Sequence, residues 1–143
     1  STLNKPDFTR QHEALEDEAE LVAGQIHALA RGVEWALQAA DTLAKEGIEC
    51  EVIDLRWLRP LDTSLVFESF KKTNRCVVVE EALPMFGVAA EIAAQIQDNL
   101  FDYMDAPVKR VNAMDVPLPY AAELELMALP NAQKVVDAVR DVL

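Results

Sequence analysis

The segment GIECEVIDLRWLRPL, Gly47 to Leu61, followed one helix-length later by RCVVVEE, Arg75 to Glu81, constrains the fold more than any other feature of this chain. Two short runs rich in Val, Ile and Cys, separated by a mixed polar and apolar stretch, have the pattern of buried parallel strands joined by a crossover helix. An α/β domain is therefore expected. In open parallel sheets, ligands and partner surfaces gather at the carboxyl ends of the strands. That rule singles out Arg56, Arg59, Glu80 and Glu81, the charged residues just past those two runs.

Composition bounds the rest. A chain of 143 residues that is 51% hydrophobic suffices for one domain with its own core and is short for two. Its net charge of −12, from 25 acidic against 13 basic residues, argues against a nucleic-acid surface and points to a basic partner. Part of the acidity is local. Asp7, Glu13, Glu16, Asp17, Glu18 and Glu20 crowd the first twenty residues, so residues 1–24 are expected to be an acidic tail or linker, with the domain spanning residues 25–143.

Both cysteines, Cys50 and Cys76, fall inside apolar strand patterns, where a free thiol behaves as a small buried hydrophobe. Nothing resembles a CxxC or a ligand cluster, which makes a reducing intracellular compartment the expectation. No run of about 18 apolar residues is present to span a bilayer, and the N-terminus is acidic where a targeting segment is basic. A soluble protein, or a piece of one, is expected.

The stretch LVAGQIHALA, Leu21 to Ala30, reads as a first strand, although Gly24, Gln25 and His27 interrupt it. Val33, Ala36, Leu37, Ala40, Leu43 and Ala44 then recur at helical spacing, and Gly47 stands where a helix ends in a left-handed residue. Ile48 to Leu55 is the second strand. Asp62 is the expected N-cap of a helix that buries Leu65, Val66, Phe67 and Phe70 and closes near Asn74. Arg75 to Glu80 forms the third strand, and Gly87 opens a long helix carrying Val88, Ile92, Ala93, Ile96 and Leu100 inward. A short fourth strand covers Val108 to Asn112. The prolines of DVPLPYA, Asp115 to Ala121, impose an extended, rigid loop. Asn131 then caps a last helix whose Val135, Val136, Val139 and Leu143 are expected to face inward.

Chemistry is thinly advertised. Adjacent strand residues point to opposite faces, so Glu80 and Glu81 do not form an acid/base dyad and are assigned a structural or interface role. Arg56 and Arg59 either clamp an anion or pair with these glutamates across neighbouring strand ends. His12 and His27 have no nucleophile or second histidine near them in sequence. The glycines at 24, 32, 47 and 87 build neither a P-loop nor a GxGxxG turn. No catalytic, cofactor-binding or metal-ligating residue is assigned. The acidic residues Asp98, Asp102 and Asp105 near the end of the long helix, with Asp137, Asp141 and the terminal carboxylate of Leu143, are candidates for a surface that docks a basic partner.

Five segments in order add a resemblance: GIECEVIDLRWLRPLD, RCVVVEE, FGVAAEIAAQI (Phe86 to Ile96), FDYMDAPVKRV (Phe101 to Val111) and DVPLPYAAELELMALPN (Asp115 to Asn131). Together they resemble the C-terminal, transketolase-like domain of the beta subunit of thiamine-diphosphate-dependent 2-oxoacid dehydrogenases, closest to the pyruvate dehydrogenase group. The resemblance covers about Arg31 to Leu143. It implies a three-layer α/β/α sandwich around a five-stranded, mostly parallel sheet with one antiparallel edge strand. It implies that thiamine diphosphate and magnesium belong to the full enzyme and are not bound by this chain, which alone is inactive. The implied role is assembly, with the alpha subunit and a second beta subunit as partners and with the subunit-binding domain of the lipoyl acyltransferase docking on this domain. The implied location is the bacterial cytoplasm or the mitochondrial matrix. The alternatives are a stand-alone interaction module of the same fold, or the matching domain of a branched-chain dehydrogenase or a transketolase. The apolar first strand of the family is replaced here by the more polar VAGQIHALA.

Overall fold

The computed structural model describes residues 31–55, 58–117 and 120–143, together with the backbone of residues 19–25. Four strands, β1 (Ala19–Gln25), β2 (Glu49–Asp54), β3 (Cys76–Val79) and β4 (Lys109–Val111), form one sheet in the order β2-β1-β3-β4. Each neighbouring pair is parallel, with Ala23 beside Val52 and Val77, and Val78 beside Arg110. Helices α1 (Arg31–Ala44), α2 (Ser64–Thr73), α3 (Val88–Leu100), α4 (Ala122–Ala128) and α5 (Ala132–Val142) connect and follow the strands, and a single 3-10 turn spans Phe101–Tyr103. The antiparallel fifth strand has no counterpart among the described residues.

β3 explains the core. All four of its residues are buried, and pleating divides them between two clusters. Val77 and Val79 join Cys50, Val52 and Val111 beneath α1 and α5. Cys76 and Val78 join Ile53 and Leu55 beneath α2 and α3. A strand packed by helices on both faces must be apolar throughout, as the continuous run of this segment implies. The helices supply matching stripes: Val33, Ala36, Ala40 and Leu43 of α1, Val66 and Phe70 of α2, and Ala89, Ile92, Ile96 and Leu100 of α3.

The helix ends follow local chemistry. Gly47 closes the α1 turn at φ 81°, and Asn74 ends α2 in the left-handed region at φ 59°. The Asn131 side chain caps α5 by accepting the Lys134 N–H at 2.9 Å. At α2 the expectation is one residue out. Thr63 is the N-cap, while Asp62 accepts the Ser64 N–H at 2.9 Å, and the Ser64 hydroxyl and N–H hold its carboxyl below the ordinary value.

Other expectations shift as well. β1 starts at Ala19, inside the stretch assigned to the acidic tail, because its backbone pairs from there with β2 and further on with β3; residues 1–18 and 26–30, with His12 and His27, lie outside the described residues. α4 follows directly on the proline loop, over Ala122–Ala128, a stretch for which no element was expected. Leu143 is 46% exposed, and Val142 with Ala138 takes the inward position, because α5 ends one residue earlier.

Candidate functional site

At the carboxyl end of the sheet, β3 delivers Glu80 into the interior, where it is 1% exposed. Its N–H donates to the Val111 carbonyl at 3.0 Å, extending the β3–β4 pairing by one rung. The Asn112 amide, just past β4, donates to Glu80 Oε1 at 2.7 Å and to the Ala82 carbonyl at 3.2 Å. The Ala113 N–H reaches the same Ala82 carbonyl at 3.2 Å, and Arg110 Nη1 donates to the Pro84 carbonyl at 2.7 Å. Glu80 Oε1 also lies close to Gly87, where an added Cβ would collide with it and with the Leu83 carbonyl at 2.9 Å. Glu80 Oε2 is buried without a hydrogen-bond partner.

These bonds hold the Ala82 and Pro84 carbonyls of the 81–86 loop, while its apolar side chains at 83, 85 and 86 stay outside. Leu83 and Met85 are exposed, and Phe86 is 97% exposed at φ 60°, a strained conformation for a bulky residue. The loop after β4 lies alongside, through the Ala82–Ala113 bond, and α4 follows it through the Met114 N–H to Ala128 carbonyl bond at 2.8 Å. Met114, Leu124, Leu126 and Met127 on these segments are exposed too. The carboxyl end of the sheet thus carries a concentration of apolar side chains of the kind that marks a contact surface.

The opposite end is charged. Arg75, just before β3, donates through Nε to the Val142 carbonyl at 2.8 Å and sits 3.6 Å from Asp105, whose N–H bonds the Asn74 carbonyl. Lys109 pairs with Asp141 at 2.9 Å. Arg140 pairs with Glu46 at 2.6 Å, which raises the Arg140 pKa above its ordinary value, and lies 3.6 Å from Asp137. A groove of about 280 Å³ runs between β4 and α5, lined by Lys109, Arg110, Asn112, Lys134, Asp137 and Asp141.

The candidates taken from the sequence therefore divide between two ends. Glu80, Glu81 and Arg59 lie at the carboxyl end, but Glu80 is a buried group and not a surface contact, because Asn112 and Gly87 hold it inside. Glu81 is half-buried and Arg59 exposed, and no ion pair joins them among the described residues; Arg56 lies outside the described residues. Asp102, Asp105, Asp141 and Leu143 lie at or near the other end, with Asp137 one turn earlier on α5. Asp105, Asp137 and Asp141 each have a basic neighbour of this chain, while Asp102 is exposed on the 3-10 turn. Sequence reasoning missed Asn112, whose signal is an amide directly after a strand end, and Arg75, whose partners are 30 and 67 residues away. Among the described residues no group of three His, Cys, Asp or Glu is placed to hold a metal ion.

Burial pushes the Cys76 and Cys50 thiols up to about 12, with the Glu49 charge adding to burial at Cys50. They sit in different clusters and are free. A second buried carboxylate, Glu51 of β2, accepts the Ser69 hydroxyl and lies 3.9 Å from Lys72.

Comparison with known proteins agrees with this architecture. The family model described as "Transketolase, C-terminal domain" matches residues 25–135. The chain is 50% identical over 115 residues to the pyruvate dehydrogenase E1 component subunit beta-2, mitochondrial, of Oryza sativa subsp. japonica, covering 80% of this chain and 31% of that protein. It is 46% identical over 140 residues to the mitochondrial subunit beta of Saccharomyces cerevisiae, covering 96% of this chain and 38% of that protein. With the subunit beta of Rhizobium meliloti it shares 50% identity over 111 residues, 78% of this chain and 24% of that protein. The chain thus spans about a third of the length of the curated relatives it matches.

Proposed function

The chain belongs to the transketolase C-terminal domain family, and from that membership we propose that it is the assembly domain of a pyruvate dehydrogenase beta subunit. In this reading it contributes to oxidative decarboxylation of pyruvate and acetyl transfer to lipoamide by joining subunits. Thiamine diphosphate and magnesium are held elsewhere in the enzyme, and the chain by itself is inactive. The observation that carries the reading is the apolar face at the carboxyl ends of β3 and β4, with Phe86 at 97% and Leu126 at 70% exposure. Such residues are costly in water and gain about 25 cal/mol for each Å² that a partner covers. The alpha subunit and a second beta subunit are the proposed partners there. The proposed compartment is the mitochondrial matrix or the bacterial cytoplasm, in line with the rice and yeast relatives named as mitochondrial.

The acidic end is the proposed docking site for the subunit-binding domain of the lipoyl acyltransferase. Asp102, Asp105 and Asp141 supply the charge. Lys109 and Arg75 already neighbour two of these, so docking there exchanges internal pairs for external ones. One experiment separates the two surfaces: binding of the immobilised chain to the alpha subunit and to the subunit-binding domain, each at low and at moderate salt. Alpha-subunit binding is expected to be indifferent to salt. Docking is expected to slow as the Debye length shortens to about 8 Å and to weaken in an Asp105→Asn, Asp141→Asn double variant. Salt-indifferent docking that the double variant preserves would remove the acidic end from the reading.

A further inference from the structure

A buried carboxylate costs several kcal/mol unless it is well compensated, so its presence at the end of the central strand needs a reason. Glu80 accepts one side-chain bond, from Asn112, and its second oxygen is buried without any. It is not the hub of a satisfied network. Beside it the 81–86 loop is tied down: Asn112 and Ala113 hold the Ala82 carbonyl, Arg110 holds the Pro84 carbonyl, and Gly87, just before α3, leaves the carboxylate room that a Cβ would take. An apolar loop left to itself would turn Leu83, Met85 and Phe86 inward. With its carbonyls taken by the β4 side and its exit closed by Gly87, this one holds them out, at the cost of a positive φ at Phe86.

We infer that Glu80 and Asn112 are a positioning pair, whose buried hydrogen bond sets the path of the 81–86 loop and so the presentation of the apolar face. The inference rests on the assembly reading for what that face is used for, and on the geometry alone for how it is held. The pair acts through the loop, on an apolar subunit surface.

Hydrogen exchange by mass spectrometry on the full chain, with association to the alpha subunit of the Saccharomyces cerevisiae enzyme measured in parallel, tests this. Asn112→Ala removes the donor. At least tenfold faster exchange is expected at Ala113, whose N–H donates to the Ala82 carbonyl, with Val77 to Val79 and the centre of α3 as protected as before, and at least tenfold weaker association. Glu80→Gln keeps an acceptor oxygen for Asn112 and is expected to retain both Ala113 protection and affinity. Gly87→Ala strikes the pair at Glu80 Oε1, is expected to reproduce the faster Ala113 exchange, and serves if Asn112→Ala does not fold. Exchange that quickens at Ala113 and in the core alike, or an Ala113 amide as protected as in the parent, overturns the positioning role. A parent chain that binds no alpha subunit overturns the assembly reading, while the exchange contrast still decides how the loop is held.

Discussion

Ile53 and Val78 illustrate how much a single residue contributes here. Each is 1% exposed, and both lie in the cluster beneath α2 and α3. Truncating either to Ala removes apolar contact and leaves a void between sheet and helix, so each variant is expected to lose about 1–4 kcal/mol in urea unfolding. Variants as stable as the parent would place these strands at the surface. Burial acts on Cys76 in a different way. Its thiol is raised from 9.0 to about 12, so between those values the unfolded chain gives up a proton that the folded chain keeps. The stability this represents is intact below pH 9 and is lost as pH rises toward 12. The urea midpoint is expected to drop from pH 8 to pH 10, and to drop by less in Cys76→Ala; equal drops would deny the thiol any part. At this scale the core was legible, because residues apolar on both strand faces have nowhere else to go. The burial of Glu80 was not, since its partner Asn112 is 32 residues away and only the pairing of β3 with β4 brings them together.

Among the elements, β2, β3, α1, α3 and α5 follow from period and punctuation: continuous apolar runs for the strands, three- and four-residue spacing for the helices, Gly47 and Asn131 at their ends. α4 escaped because its Leu124, Leu126 and Met127 are exposed, so no core-facing stripe marks it, and the prolines before it read as loop. In the proposed reading its apolar residues belong to the contact face, where function overrides the usual pattern. The 81–86 loop shows the same conflict in its backbone. Phe86 at φ 60° and 97% exposure contributes nothing to the core and carries strain of about 1–3 kcal/mol. Phe86→Gly relieves it, since glycine adopts positive φ freely, and is expected to stabilise the chain by about 1 kcal/mol while weakening association with the alpha subunit. A destabilised variant, or one that associates as tightly as the parent, would show that the strain serves nothing.

For the molecule as a whole, one sheet separates two surfaces of unlike chemistry: apolar loops at the carboxyl ends of the strands, and paired charges around Arg75, Lys109 and the end of α5 at the other. This division was only half legible. The acidic residues could be counted in the sequence, but not that Asp105, Asp137 and Asp141 have basic neighbours within the chain, and the apolar loops looked like ordinary connections. In the proposed reading the chain completes a thiamine-dependent dehydrogenase by assembly without supplying its chemistry. Reconstitution tests it most directly: pyruvate decarboxylation measured for an alpha subunit mixed with a beta subunit lacking its C-terminal domain, with and without this chain. The expected result is no turnover by the chain alone, turnover restored when it is added, and no restoration by a folded Phe86→Asp, Leu126→Asp variant. Turnover by the isolated chain, or a mixture that the chain leaves unchanged, would contradict the account.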